Sequence, residues 1–314
     1  MAYTIFLDGG AGTTGLQIAD RLAARTDIHL LVLGDVERKQ SDARKAAMAE
    51  ADITMLCLPD EAAIEAVQMA ADLSGDIRLI DASSAHRVHP DFVYGFPEMS
   101  AGQTAKIANA HKLSNPGCYP TGFIALARPL IAAGLIVPET GLSAPCVSGY
   151  SGGGKAMIAR YEAGEAPGYG IYGLNLSHKH LPEMQAHSGL RDQPVFLPSV
   201  GQFAQGMLVN ILLHQSQFAH PVRAEDIIDA YRHAYADMPL ISVMGANGLD
   251  AHNFLVAEAL AGRDSMELFV FADAGASRFV LTARLDNLGK GAAGAAVQNM
   301  NIMLGTDMLG GLKL

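Results

Sequence analysis

Several things are scarce in this sequence, and each shortage closes off a class of protein. Cysteine occurs only three times, as Cys57, Cys118 and Cys146, with no Cys-x-x-Cys pair. An odd number without paired spacing argues against a disulfide framework and a structural zinc, and reads as reduced thiols in the cytoplasm. No run of lysine or arginine stands out, and the formal net charge is -10, so nucleic acid is not an expected partner. No apolar run reaches the roughly 18 residues that a membrane helix needs, so no membrane partner is expected either. The first residues, MAYTIFLDGG, read directly as a strand rather than as the basic-then-apolar build of a signal peptide. Internal repeats and low-complexity tracts are missing too.

What is present suits a globular chain of about two domains: 314 residues, half of them hydrophobic and 17% charged, enough to bury sizeable cores. YTIFL, HLLVL, ITMLCL and IRLIDAS read as buried strands. LQIADRLAAR, with Leu16, Ile18, Ala19 and Leu22 at helical spacing, and EAAIEAVQMAADL read as helices among them. Apolar strands alternating with helices predict an α/β parallel sheet covered on both faces over residues 1–115. After Asn115-Pro116-Gly117 the texture changes. PTGFIALARPLIAAGLI is helical, though Pro129 should kink or split it. Five strand-like runs and one clear helix, AEDIIDAYRHAYAD, then predict an α+β domain with a mixed or antiparallel sheet over residues 116–286. A final Ala-rich helical segment occupies about 287–314.

The segment GGAGTTG places Gly9, Gly12 and Gly15 between a strand and a helix. A phosphate needs backbone N–H groups at a helix start and no side chain in the way, so a dinucleotide is the favoured ligand. Asp35, 20 residues past Gly15, favours a ribose hydroxyl and NAD. Arg38, Lys39 and Arg44 follow at once and suit a 2′-phosphate instead. The two readings stay open at this point.

In SNPGCYPTG, Gly117 permits a sharp turn and Pro120 suits the first turn of a helix. Cys118 is therefore expected just before a helix N-terminus, where the dipole stabilises a thiolate. Cys57 and Cys146 lie inside apolar strands and read as inert core. A cysteine nucleophile needs a proton partner. NLSHKHLPEM supplies His178, His180 and Glu183; in an extended segment both rings point one way, so spacing chooses neither, and the pair also has metal-ligand character. SGYSGGGK, with Ser148, Ser151 and Lys155, reads as a pliable donor loop for an anion or oxyanion. Arg87, in DASSAHR, ends a strand at the ligand-binding edge of the sheet and suits a carboxylate or phosphate.

Taken in order, GGAGTTG, YGFPE, NPGCYPT, SGYSGGGK and HKHLPE resemble the N-acetyl-gamma-glutamyl-phosphate reductases of arginine biosynthesis, in their shorter form. The resemblance covers nearly the whole chain and departs from the family at Thr13 and His86, where an aromatic residue is common. It implies a Rossmann-like NADP(H) domain and a catalytic domain of the glyceraldehyde-phosphate and semialdehyde dehydrogenase type, with the last helix returning to the cofactor domain. Gly9, Gly12, Thr13, Thr14, Gly15, Arg38, Ser83 and Asn299 would then hold the cofactor. Cys118 would be the nucleophile and His178 the acid/base. Arg87, Ser148, Ser151, Lys155 and Glu183 would hold an acyl phosphate substrate and its phosphate, with no metal. The resemblance also fits a homo-oligomer, dimer or tetramer, in the cytoplasm. Rival readings are a related semialdehyde dehydrogenase, a cysteine hydrolase with a structural glycine loop, a metal hydrolase built on His178 and His180, or a non-catalytic Rossmann-type protein.

Overall fold

The computed structural model describes residues 2–314. They form two compact units, one of the chain up to Pro97 with Ala101–Gly117 and Ala292–Leu312, the other of Glu98–Ser100, Cys118–Gly291 and Lys313–Leu314.

In the first unit the order is β1 (Tyr3–Asp8), α1 (Thr13–Leu22), β2 (Ile28–Leu31), α2 (Ser41–Glu50), β3 (Ile53–Leu56) and α3 (Asp60–Ala71). Then come β4 (Leu79–Asp81), β5 (Val93–Tyr94), α4 (Gln103–Ala108) and β6 (Lys112–Ser114). The strands pair in parallel in the order β2-β1-β3-β4-β6-β5. Side chains alternate across a strand, so Ile5 and Leu7 of β1 join Ile18 and Leu22 of α1 on one face. Phe6 joins Met48 of α2 and Ala66 and Met69 of α3 on the other. The first face is completed by Ala296, Val297, Met300 and Met303 from the last helix of the chain. The expected buried strand HLLVL is instead an edge strand, half-covered, with Val32 outside it and exposed. Leu16 also faces outward, leaving Ile18 and Leu22 to anchor α1.

In the second unit the order is α5 (Cys118–Ala132), β7 (Ser143–Gly149), α6 (Gly154–Glu162), β8 (Tyr169–Ile171), α7 (Leu181–Ser188) and β9 (Val195–Gly201). It continues through β10 (Met207–His214), α8 (Ala224–Ala234), β11 (Ile241–Gly245), β12 (Met266–Ala272) and β13 (Arg278–Leu285). The last helix, α9 (Gly294–Leu304), belongs to the first unit. The sheet runs β11-β12-β13-β10-β7-β9-β8. It is mixed: β7 with β9 and β11 with β12 are parallel, the other neighbours antiparallel.

α5 is buried along most of its length and lies close on the sheet. A Cβ at Gly122 would stand 2.8 Å from Val209 Cγ2, so only glycine allows that approach. The expected split at Pro129 does not occur; α5 runs through it. Proline has no N–H to give the carbonyl four residues back, which is that of Ala125. The Tyr235 hydroxyl donates to that oxygen at 2.7 Å, and the Tyr231 hydroxyl donates to Leu126 O at 2.9 Å. Side chains from the α8 segment thus replace what the proline removes.

Candidate active site

Cys118 is the first residue of α5, not the residue before it, with Pro120 in the first turn and no acidic residue there. Backbone N–H groups at such a start lack intrahelical acceptors and favour negative charge. The other two thiols are held as neutral groups. Burial, with the carboxylates of Asp81 and Asp8 nearby, pushes the half-covered Cys57 up to about 12. Burial pushes Cys146 up to about 12 as well. Gly291 packs against Cys118: a Cβ there would lie 2.8 Å from the Cys118 Cβ. Sequence reading passed over Gly291, because glycine in an Ala-Gly-rich segment carries no local signal of a contact 173 positions away.

His178 and His180 do not sit in an extended segment. His180 has helical dihedrals and caps the start of α7, where Leu181 and Pro182 open the helix. The rings nevertheless meet, with centroids 4.7 Å apart. The backbone N–H of His180 donates to His178 Nδ1 at 3.1 Å. That bond makes Nδ1 an acceptor, so in the neutral ring the proton resides on Nε2. Tyr119, Tyr172 and Phe196 surround the pair: Tyr119 lies 6.1 Å from His180, Tyr172 lies 5.9 Å and Phe196 5.2 Å from His178, centroid to centroid. Tyr119 donates its hydroxyl to Ser199 O at 2.8 Å. Tyr119 follows Cys118 in the chain, so its packing on His180 puts the thiol and the histidine pair in one neighbourhood. Both tyrosine hydroxyls are raised, first by burial. Glu183, buried at the third position of α7, belongs to the same segment.

The SGYSGGGK stretch is less pliable than expected. Tyr150–Gly153 is a short 3₁₀ turn, and Gly154 and Lys155 already open α6. Lys155 is exposed in that first turn, the end where a cation meets the like-signed dipole unless an anion joins it. Ser148 and Ser151 are buried. The Asn287 side chain donates to Ser151 Oγ at 2.9 Å and accepts from the Gly206 N–H at 3.0 Å. Asp286, fully buried, accepts from the Leu288 and Gly289 N–H groups at 2.7 and 3.0 Å and from Gln205 at 3.1 Å. These two residues set the turn that brings Gly291 to Cys118.

In the first unit, Gly9 has φ +85° and a Cβ there would collide with the Cys57 carbonyl oxygen. Gly12 caps α1 with no side-chain bond, and a Cβ on Gly15 would lie 2.7 Å from Gly10 Cα. Thr13 and Thr14 form the first turn, which holds no carboxylate. This bare, amide-lined helix start fits a dinucleotide phosphate. Arg38 is exposed and pairs with Asp35 at 3.0 Å. Arg44 is taken out of contention by its buried pair with Asp8 at 2.7 Å. Ser83 donates its hydroxyl to Asp81 at 2.7 Å, and His86 Nδ1 meets the same carboxylate at 2.6 Å while stacking on Phe92. Arg87 donates to Asn115 O and Ala82 O, so it braces the ends of β6 and β4. It lies in the first unit, whereas Ser148, Ser151, Lys155 and Glu183 lie in the second. Asn299 is fully buried, its amide donating to Gly95 O at 2.8 Å and Asn115 Oδ1 at 3.1 Å. Its place is behind Asn115. Among the described residues no three His, Cys, Asp or Glu side chains gather as a metal site.

The semialdehyde dehydrogenase NAD binding domain model matches residues 7–107, and the semialdehyde dehydrogenase dimerisation domain model matches residues 118–287. Solved structures share the fold. Aspartate semialdehyde dehydrogenase II of Vibrio cholerae superposes with a TM-score of 0.73 at 17% identity, over 97% of this chain and 98% of that one. The Candida albicans enzyme gives 0.70 at 12%, over 97% and 99%. The class is therefore a two-domain oxidoreductase of semialdehyde dehydrogenase type, with a nicotinamide-cofactor domain. Sequence relatives narrow it. The N-acetyl-gamma-glutamyl-phosphate reductase of Rhizobium etli is 48% identical over 309 residues, covering 97% of this chain and 99% of that one. That of Trichormus variabilis is 47% identical over 312 residues, covering 96% of each. The chain belongs to the N-acetyl-gamma-glutamyl-phosphate reductase family.

Proposed function

We propose that the chain reduces N-acetyl-L-glutamyl 5-phosphate to N-acetyl-L-glutamate 5-semialdehyde and phosphate, with NADPH as reductant and Cys118 as nucleophile. The observation that carries this is Cys118 at a helix start without a first-turn carboxylate, next in the chain to a tyrosine that packs against the histidine pair, while Cys57 and Cys146 are held up to about 12. When bound, the reduced nicotinamide supplies the hydride. The protein's own part is to make and break bonds at sulfur. The thiolate adds to the acyl carbon and the carbon–oxygen bond to phosphate breaks, leaving a thioester. Gly9, Gly12, Gly15 and the first turn of α1 hold the pyrophosphate.

His178 presents a proton on Nε2 because Nδ1 accepts from the His180 amide. That proton goes to the acyl oxygen as the carbon is reduced. The same nitrogen takes it back as the thiohemiacetal opens, the C–S bond breaks and the aldehyde leaves. Ser148, Ser151 and Lys155 receive the phosphate, with Glu183 near the histidines for orientation.

For the 2′-phosphate, Arg38 and Lys39 are the exposed cations left after Arg44 pairs with Asp8. Arg38 also neutralises Asp35, the residue that would favour NAD. We place the protein in the cytoplasm as a homo-oligomer. Among the described residues no helix is long and apolar enough to cross a membrane. The register partners Leu212 and Val280 expose apolar side chains side by side on the second sheet. Phosphate-dependent reduction of NADP with N-acetylglutamate semialdehyde, run beside NAD and aspartate semialdehyde, tests the reading. Faster turnover of either alternative overturns the corresponding assignment.

A further inference from the structure

Lys290 and Glu98 form an ion pair at 2.6 Å with both side chains 1% exposed. Taking two charges out of water costs several kcal/mol per ion, and a pair of matched apolar side chains is often as stable or more so. Such a pair therefore calls for a reason other than stability. Its surroundings supply one. Lys290 lies in a π-type turn over Gly289–Ala293, and the Gly291 N–H donates five residues back to Asp286 O at 2.9 Å. The next residue after Lys290 is Gly291, which packs so close to Cys118 that a Cβ there would lie 2.8 Å from the Cys118 Cβ and 3.2 Å from its Cα. π-Type turns are rare and occur frequently at functional sites. Glu98 lies in the short turn Pro97–Met99, and its charge, after burial, raises the Tyr235 hydroxyl. Tyr235 in turn caps Ala125 O inside α5, the helix that Cys118 begins.

We propose that the buried Lys290–Glu98 pair is a positioning device for the nucleophile: it fixes the turn whose Gly291 backbone seats Cys118, and acts on the reaction only through that contact. The inference rests on Cys118 being the nucleophile. It assigns a role to the glutamate of YGFPE, a motif the mechanism otherwise leaves unused.

The test compares Glu98→Gln, Lys290→Met and the double variant in the full-length enzyme with its cofactor. Two readings are taken: steady-state kinetics, and the pH profile of iodoacetamide alkylation at Cys118, which needs no substrate. A positioning role predicts that both single variants lower kcat by about 10²-fold, the loss typical of a small misplacement of a reacting group. KM should change little, and the plateau alkylation rate should fall in the same direction for both. The double variant, having no lone buried charge, should regain thermal stability while kcat stays low. Opposite displacements of the alkylation profile in the two single variants would mean that charge, not position, is transmitted. Wild-type kcat in the double variant would mean that the pair only fills space. Either result overturns the proposal. Cys118→Ser, run alongside, separates this inference from the one beneath it: its inactivity with a wild-type profile in Glu98→Gln sinks only the positioning role, whereas its activity sinks the nucleophile assignment.

Discussion

α1 and α5 begin alike and are used differently. Neither carries an acidic residue in its first turn, whereas α3, α7 and α8 all do. A carboxylate there stabilises a helix by about 0.3–1 kcal/mol, so both helices forgo it. At α1 the start carries no capping or acidic side chain: Gly12 is the cap, Gly15 packs on Gly10, and only the short Thr13 and Thr14 side chains stand in the first turn. At α5 a side chain is placed there, the Cys118 thiol. In the function proposed above, one helix start would receive an anion that arrives with the cofactor, and the other would favour an anion made in place, from a thiol. The same helix dipole would serve both, and the residue at the opening would decide which.

The sharpest break in that comparison is Cys118→Ser. An alcohol at the same dipole ionises far less readily than a thiol, so turnover should fall on the order of 10⁴-fold or more, the scale of losing a nucleophile. Cofactor affinity, which the proposed function assigns to the α1 start, should be unchanged by calorimetry. At neutral pH iodoacetamide should label one thiol in the wild type and none in this variant, because Cys57 and Cys146 are pushed up to about 12. Labelling of a second thiol would undo the contrast between the thiol at a helix start and the two thiols at Cys57, just past β3, and Cys146, inside β7.

Next in size is the proton partner. His178→Asn should lower kcat by roughly 10²-fold and flatten one limb of the pH profile. His180→Asn keeps its backbone N–H, and with it the bond to His178 Nδ1, so its effect should fall mainly on KM. A reversed pattern in the two variants would move the acid/base role to His180.

The legible parts of the chain were those in which local pattern and tertiary role agree. Apolar runs became strands, and strand-loop-helix at Gly9–Gly15 became β1, a bare turn and α1. Gly-Cys-Tyr-Pro led to a helix start, one residue early. Where roles are made by distant contacts, the pattern misled. SDARKAAMAE gave no helix signal because α2 buries Arg44, Ala47 and Met48, and Arg44 looks solvated until Asp8 is brought to it. SGGGK looked like a loop because glycines hide the start of α6. The two histidines meet through a turn, not through the extended backbone that their spacing suggested. Asn287, Gly291 and Lys290 act on residues more than a hundred positions away, and no local pattern carries such a partner.

Gly12→Asp turns the α1 start into an ordinary capped helix. Gly12 has φ −75° and ψ 167°, a conformation open to aspartate, and its Cβ would meet nothing nearer than 3.4 Å. The carboxylate would bond the first-turn amides and stabilise the helix by a few tenths of a kcal/mol relative to glycine. It would also occupy and repel the phosphate site. Melting temperature should hold or rise slightly while the dissociation constant for the cofactor increases about tenfold or more, and Cys118 alkylation should stay at its wild-type rate. A fall in melting temperature would mean that the cap geometry, not an anion site, requires the glycine.

The smallest expected effect tests how the interior of α5 is held behind the start where Cys118 stands. α1 needs no such support, having one face in solvent, but α5 is buried through Ala127 and has a proline at 129. Tyr235→Phe removes the hydroxyl that donates to Ala125 O at 2.7 Å and leaves that carbonyl buried without the donor that Pro129 also denies it. The expected cost is about 1–3 kcal/mol in chemical denaturation, with kcat little changed. Pro129→Ala restores a backbone N–H in register with Ala125 O. If the hydroxyl substitutes for the missing amide, Tyr235→Phe should cost less in the Pro129→Ala background than in the wild type, a coupling of about 1 kcal/mol in a double-mutant cycle. Strictly additive effects would mean that Tyr235 stabilises α5 through packing alone, and that the helix tolerates its proline for some other reason.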